Sequence, residues 1–397
     1  MKLLFYRYGS ICEPFLLSAF SELGIEVTEV NYEITNKSLS PSECIRCVSQ
    51  ILLEGNYSLV FSINFFPSLS DTCNIFHIPY AGWSVDSPVL ELYNKSIKNP
   101  CNYIFLFDRC LYQEIHPLNP GHVFYLPLAS DPVHMQTSIV NNQKPDSYQS
   151  DISFVGSLYT EKCSYDKLTQ PSQYLSGFLN GLMEAQLKVY GYYFVDEILT
   201  DDVIQEFKSC IPGFYSPLDA PFLSDRTIVS QLYIGTKISA LERVRLMKLL
   251  AAQFPVDIYT LSDTSDIPRI HNCGSAKTLT EMPVIFRNST INLNITSKSI
   301  RSGIPLRIWD ILACGGFMIT NFQAEIPEYF TPGEDMETYE SPEDLVEKCR
   351  YYLEHPKRAR EIGENGLENI RKHHTYLHRL ETILQIIYES ERKKDTI

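Results

Sequence analysis

Two rhythms of apolar residues alternate along the chain. Short runs in which nearly every position is apolar predict buried strands, and stretches with apolar residues on one side at helical spacing predict helices. In the first third, strands are expected over residues 2–8 (KLLFYRY), 25–30, 57–64 (YSLVFSIN), 102–107 (NYIFLF) and 122–126 (HVFYL), with one more running from His77 into Trp83. Helices fall between them at 14–23 and 42–54, the second opened by Pro41 and Ser42. Residues 136–150, rich in Asn, Gln, Ser and Lys, read as a surface linker. After a strand at 151–155 the pattern turns mostly helical through 165–253. Strands then return at 256–260, 289–294 and 317–320, followed by helices at 341–353, 356–372 and 376–391.

Strands alternating with helices at this spacing imply parallel sheets covered on both faces. The expected fold is therefore α/β, with two doubly wound Rossmann-like domains in tandem and a cleft between them. The division read from the pattern is residues 1–135, a linker at 136–150, residues 151–375, and a terminal helix at 376–397 crossing back to the first domain. In such sheets ligands bind at the carboxyl ends of the strands, where the strand order reverses.

Composition narrows the function. A length of 397 residues and a hydrophobic share of 44% suit two ordinary cores. The formal charge of −14 argues against nucleic acid or an anionic membrane surface as the main partner. No apolar run approaches the roughly 18 residues of a membrane span. The opening MKLLFYRY reads as a first strand rather than a leader. Eleven scattered cysteines without framework spacing suggest reduced thiols and a cytoplasmic home. Cys44 and Cys47 form a single CxxC in a predicted helix, too little for a structural metal site.

The stretch Arg301 to Thr320, RSGIPLRIWDILACGGFMIT, carries the strongest chemical signal. Gly303 and Pro305 suit a helix start, and Gly315 and Gly316 a helix stop. Arg307 in the first turn joins free backbone N–H groups and the positive end of the helix dipole, which makes an anion site suited to phosphate. Asp310, three residues on, shares its face and can accept hydrogen bonds from ribose or sugar hydroxyls. The pair points to a sugar nucleotide. A plain helix salt bridge between the two is the competing account.

Those residues also belong to a longer resemblance. Ile291–Asn294, Gly303–Gly316, the G-E-D of Gly333–Asp335, Tyr351–Leu353 and the H-T-Y-x-x-R of His374–Arg379 resemble the pattern of the spore-maturation, CgeB-like glycosyltransferases of the GT-B fold. The match is dense over the last third, with echoes at FVGSLY (154–159), ALERVRLMKLL (240–250) and IPYAGWSVDSP (78–88). The resemblance implies a hexosyltransferase-type enzyme that moves a sugar from a nucleotide-sugar, a UDP-sugar by preference, to a hydroxyl of a protein, glycan or other acceptor. The second domain would bind the donor and the first the acceptor. The broader GT-B group often carries a Glu-x7-Glu pair on the donor sugar and ribose. Asp310 matches its second member, and Ser302 stands where the first would be. The group also often has an Arg/Lys pair after the first donor-domain strand. Here Gly156 and Ser157 occupy that turn, Lys162 is the candidate lysine, and Arg307 would supply the missing charge.

The remaining candidates come from position. Asn294 ends a donor-domain strand, and Tyr259, Asn272 and Gly274 follow another and would line the base pocket. By analogy with that family Glu334 and Asp335 would lie near the donor end, a solvated acidic loop being the plainer account. On the acceptor side, Asp86 is the candidate base, in a Ser/Pro loop beside Trp83, which could stack on sugar; an Asp-Ser-Pro turn is the plainer account. Gly9 and Ser10 lie at the first strand–helix turn, where backbone can approach a ligand. His77, before an apolar strand, reads as a packed histidine, and His373 and His374 as structural at the entry to the last helix. The chain has no Asp-x-Asp, so no metal is expected in the chemistry and no cofactor beyond the co-substrate. Two other functions remain: nucleotide-sugar binding without turnover, and a dinucleotide-dependent oxidoreductase. The latter is disfavoured because YRYGSICEPF lacks G-x-G-x-x-G.

Overall fold

A computed structural model describes the chain apart from residues 37–39, 144–147, 218 and 395–397. It divides into two units. The first comprises Met1–Ser130, Pro217–Leu223 and His373–Ile397, and the second Asp131–Ser216 and Ser224–Lys372.

The first unit is built on a parallel sheet of β1 (Lys2–Tyr6), β2 (Glu26–Val30), β3 (Leu59–Ile63), β4 (Tyr80–Trp83), β5 (Asn102–Leu106) and β6 (Val123–Tyr125), in the order β2-β1-β3-β4-β5-β6. The central strands β3, β4 and β5 are buried at every position, as helices on both faces demand. The edge strand β2 mixes exposed and buried residues. The helix Pro41–Glu54 starts where Ser40 and Glu43 exchange hydrogen bonds in a capping box. The last helix, Tyr376–Lys394, packs on the helix Glu13–Glu22, with Tyr376 stacked on Phe15 at 5.6 Å.

The second unit repeats the plan with β7 (Ser150–Val155), β8 (Val256–Tyr259), β9 (His271–Asn272), β10 (Ser289–Asn294), β11 (Met318–Asn321) and β12 (Glu337–Tyr339), in the order β12-β11-β10-β7-β8-β9. The order reverses between β7 and β10. Both sheets are of the doubly wound α/β kind that the apolar runs predict, although β9 and β12 lie where no strand is expected.

Several expectations need correction. The stretch 136–150 is not all linker: Pro132–Val140 is a helix of the second unit, capped by Asp131 accepting from the His134 N–H at 2.9 Å. Nor does the second unit run unbroken, because Pro217–Leu223 lies on the first. There Asn94 donates to the Asp219 carbonyl at 2.7 Å and Lys98 sits 4.7 Å over the Phe222 ring. The helix Pro67–Phe76 escaped prediction because its inner face is partly Ser70 and Thr72, small polar residues that leave no apolar stripe. His77 is exposed, capping that helix in a left-handed conformation rather than packing in the core. The acidic G-E-D stretch leads into β12 and so lies at the amino end of a parallel strand, opposite the end expected for the donor. Its Asp335 carboxylate accepts the Thr331 N–H at 2.8 Å, and Arg358 donates to the Gly333 carbonyl at 2.9 Å. The segment is a pinned turn.

Candidate functional site

At the reversal point of the second sheet, the turns after β7 and β10 are tied together from behind by one side chain. Arg243, on the helix Thr236–Ala251, donates to the Ser157 carbonyl at 2.5 Å and also to the Ile295 carbonyl. Its guanidinium lies 4.5 Å from the Tyr159 ring centre. Burial lowers its pKa, and neighbouring Tyr159 and Glu242 oppose that effect. Next to it, the buried pair Lys298–Glu242 closes at 2.9 Å. Sequence reasoning missed this layer. The E-R doublet at 242–243 lies in the ALERVRLMKLL stretch, which the sequence alone marks only as an echo of the family pattern.

The turn after β7 is held by neutral hydroxyls. Ser262 accepts the Leu158 N–H at 2.8 Å, and Ser157 accepts the Tyr159 N–H at 2.8 Å. Both serines donate to Glu161, at 2.7 Å from Ser157 and 2.8 Å from Ser262. Gly156 donates to the Tyr259 carbonyl at 3.1 Å. Lys162 lies exposed on the same loop.

The loop from β10 reaches the helix Leu306–Ala313, whose amino end lies at the carboxyl ends of the strands, since it connects two parallel neighbours, β10 and β11. Pro305 stands at its cap with no side chain closing the end. Arg307 donates to the Met282 thioether at 3.1 Å and lies 5.3 Å over the Phe286 ring. Sulfur is a weak acceptor, so the guanidinium keeps most of its donor capacity. Burial lowers the Arg307 pKa, and the buried Asp310 carboxylate partly offsets this. Trp309 fixes the start of the helix by donating to the Ile304 carbonyl at 3.1 Å. Gly315 and Gly316 stop it. A Cβ on Gly316 would stand 2.5 Å from the Phe286 carbonyl, so no other residue fits the turn.

A buried carboxylate stands beside Ser302. Ser302 donates to Glu325 Oε1 at 2.6 Å, and Glu325, in the loop after β11, is only 2% exposed. The same loop latches its neighbour. Gln323 donates to the carbonyls of Ile300 at 3.1 Å and Gly303 at 3.2 Å, and Asn321 accepts the Thr296 N–H at 2.7 Å. Asn294 spends its amide on Thr296 and Thr320, at 3.1 and 2.8 Å, and so braces the loop base. Tyr259 is buried at the end of β8. Asn272 and Gly274 form a small turn at the sheet edge, the Asn272 side chain accepting the Gly274 N–H at 2.9 Å.

The first unit treats its own reversal point differently. Glu13, fully buried, accepts the N–H groups of Tyr8, Gly9 and Ser10 at 3.0 Å each, and Arg7 pairs with it at 2.9 Å. Gly9 and Ser10 therefore serve an internal carboxylate, and their N–H groups are not offered to a ligand. Asn64, in a left-handed conformation, donates to Tyr8 at 3.0 Å and to Asp86 at 2.8 Å, leaving Asp86 exposed at the loop after β4. Trp83 is not a sugar platform. It is 0% exposed, because β4 is covered on both faces, and its ring meets Tyr376 at 5.9 Å. The H-T-Y-x-x-R motif proves to be a joint. Arg379 donates to the carbonyls of Pro127, Leu128 and His373 and to His374 Nδ1 at 2.7 Å. Burial and that cation push His374 down to about 3.

Residues 244–385 match the model of a family described as glycosyl transferase-like. An uncharacterized protein of Aquifex aeolicus is 23% identical over 153 residues, which span 38% of this chain and 38% of that relative. Over nearly the full length the fold is that of a glycosyltransferase from Rickettsia africae (TM-score 0.51, 10% identity, 98% of both chains). It is equally that of Anabaena Alr3699/HepE in complex with UDP and glucose (TM-score 0.52, 11% identity, 99% of this chain and 100% of that one). A UDP-forming trehalose-phosphate synthase from Burkholderia xenovorans scores 0.52 at 11% identity over 98% of both chains. At these identities the likeness is one of fold, and the fold is GT-B.

Proposed function

We propose that the protein is a glycosyltransferase that takes a sugar from a nucleotide-sugar held by its second unit. The observation that carries this reading is the pairing of an uncapped helix end with the under-used guanidinium of Arg307, both at the carboxyl ends of the second sheet. Helix N–H groups and a guanidinium favour a diphosphate, and more strongly as charge builds on it during departure. Asp310 and the Ser302–Glu325 pair supply acceptors for ribose and sugar hydroxyls. Gly156, Ser157 and Lys162 border the diphosphate, while Tyr259, Asn272 and Gly274 border the base. UDP-sugars are the favoured donors, in keeping with the UDP and UDP-glucose held by the Anabaena protein. Exposed Asp86, oriented by Asn64, is the candidate base toward an acceptor hydroxyl of a protein or glycan. The finer kinship is to the CgeB-like group and rests on the motifs at Gly303–Gly316 and His374–Arg379.

The test is calorimetry with UDP, GDP, CMP and TDP sugars on the wild type and Arg307→Ala, followed by donor turnover. One nucleotide should bind, weaken in the variant and be consumed. Binding without any turnover across acceptors would favour a sensor of nucleotide-sugars. No binding by folded protein would overturn both readings. Transfer should survive a chelator; loss restored by manganese would remove metal independence from the proposal.

A further inference from the structure

At the edge of the second sheet, two short strands place four side chains in a square on one face. Asp257 of β8 stands opposite His271 of β9 in register, and Tyr259 and Cys273 follow two residues on in each chain. Residues two apart on a strand share a face, so the array follows from the pairing. His271 Nδ1 lies 2.6 Å from Asp257 Oδ1, and Cys273 Sγ lies 3.6 Å from His271 Nδ1. One ligand atom from each of Asp257, His271 and Cys273 falls within 4.8 Å of the others.

We propose that Asp257, His271 and Cys273 hold a divalent cation of the zinc type, with a fourth position open to water. Imidazole, thiolate and carboxylate together form a donor set that suits zinc and poorly suits magnesium or calcium. Tetrahedral zinc with ordinary bond lengths sets sulfur and nitrogen about 3.6 Å apart, the spacing already present. It sets nitrogen and carboxylate oxygen about 3.4 Å apart. His271 must then withdraw from Asp257 by less than 1 Å, on the scale of those bond lengths, and being 75% exposed it is free to turn. The second oxygen of Asp257 is already oriented, accepting from Ser150 Oγ at 2.5 Å, as outer partners of metal ligands commonly do. Binding converts the Cys273 thiol to thiolate and releases its proton to solvent. The cation would fasten β9, a two-residue strand exposed at both positions, to β8. The Asn272–Gly274 turn would be fastened with it. The inference is independent of glycosyl transfer, and its test uses no nucleotide.

The full-length protein, stripped with chelator and kept reduced, is titrated with cobalt(II) and then zinc. One cobalt per chain is expected, with a near-ultraviolet thiolate-to-cobalt band that zinc removes. Cys273→Ser should abolish the band. Ser150→Ala, an outer substitution, should weaken binding about 10- to 100-fold. Hydrogen exchange at residues 271–274 should slow on zinc addition. Absence of the band at stoichiometric cobalt overturns the proposal. So does a band that persists in Cys273→Ser, or affinity equal to that of the triple variant Asp257→Asn, His271→Ala, Cys273→Ser.

Discussion

The two sheets share a topology class and differ in what fills the point where strand order reverses. In the first, the turn after β1 closes on Glu13, a carboxylate of the chain itself. In the second, the turn after β7 closes on serine hydroxyls, with the Arg243 guanidinium behind it. Three converging N–H groups form an anion nest wherever they occur. The first unit fills its nest directly with Glu13, while in the second Ser157 and Ser262 stand between the turn and the Glu161 carboxylate, and the uncapped helix end follows β10. The same scaffold thus sets a carboxylate directly on backbone N–H groups in one unit and behind serine hydroxyls in the other.

The comparison breaks most sharply at Glu13. Glu13→Ala leaves three N–H groups without their carboxylate and Arg7 with Glu29 alone, and should cost about 3–5 kcal/mol, by analogy with breaking a buried ion pair. Denaturant unfolding checks this, and a loss below about 1 kcal/mol would mean that water replaces the carboxylate readily.

Acid should also act on the first unit. His374 is neutral when folded, held down to about 3 against an ordinary 6.5. The unfolded chain takes up the proton first, so stability is fully present above about pH 6.5 and falls as pH drops toward 3, by a few kcal/mol at most. Unfolding curves at pH 7 and pH 5 measure the slope, and His374→Gln should flatten it.

In the second unit the largest effect is on ligand rather than on stability. Arg307→Ala should weaken nucleotide-sugar binding by about 1.5–3 kcal/mol, the scale of charged hydrogen bonds, with a small change in melting temperature. An unchanged affinity would return Arg307 to a structural part. Ser302→Ala should act least. It removes one hydrogen bond to Glu325, worth about 1 kcal/mol, and should raise KM for the donor more than it lowers kcat.

The sheets were legible in the sequence because apolar runs such as Leu59–Ile63 must be strands buried on both faces. The helix Leu306–Ala313 was legible because Pro305 and Gly315–Gly316 mark both its ends. Other features were hidden for definite reasons. Glu13, Arg243 and Glu242 are charged residues that a periodicity argument assigns to solvent, and only long-range pairing buries them. Trp83 looked like a platform because a loop follows it, yet the covered face of β4 claims the ring. Pro217–Leu223 leaves its neighbours in sequence to lie on Asn94 and Lys98, a contact that no local pattern encodes.

The hydrogen bond between Ser302 and Glu325 has a consequence for truncation. The carboxylate sits beyond β11, whereas the helix bearing Arg307 and Asp310 precedes that strand. A chain ending at Thr320 would already carry the full R-x-x-D signature and still lack Glu325. The carboxylate comes from the chain beyond β11, so a product truncated at Thr320 has Ser302 but not Glu325.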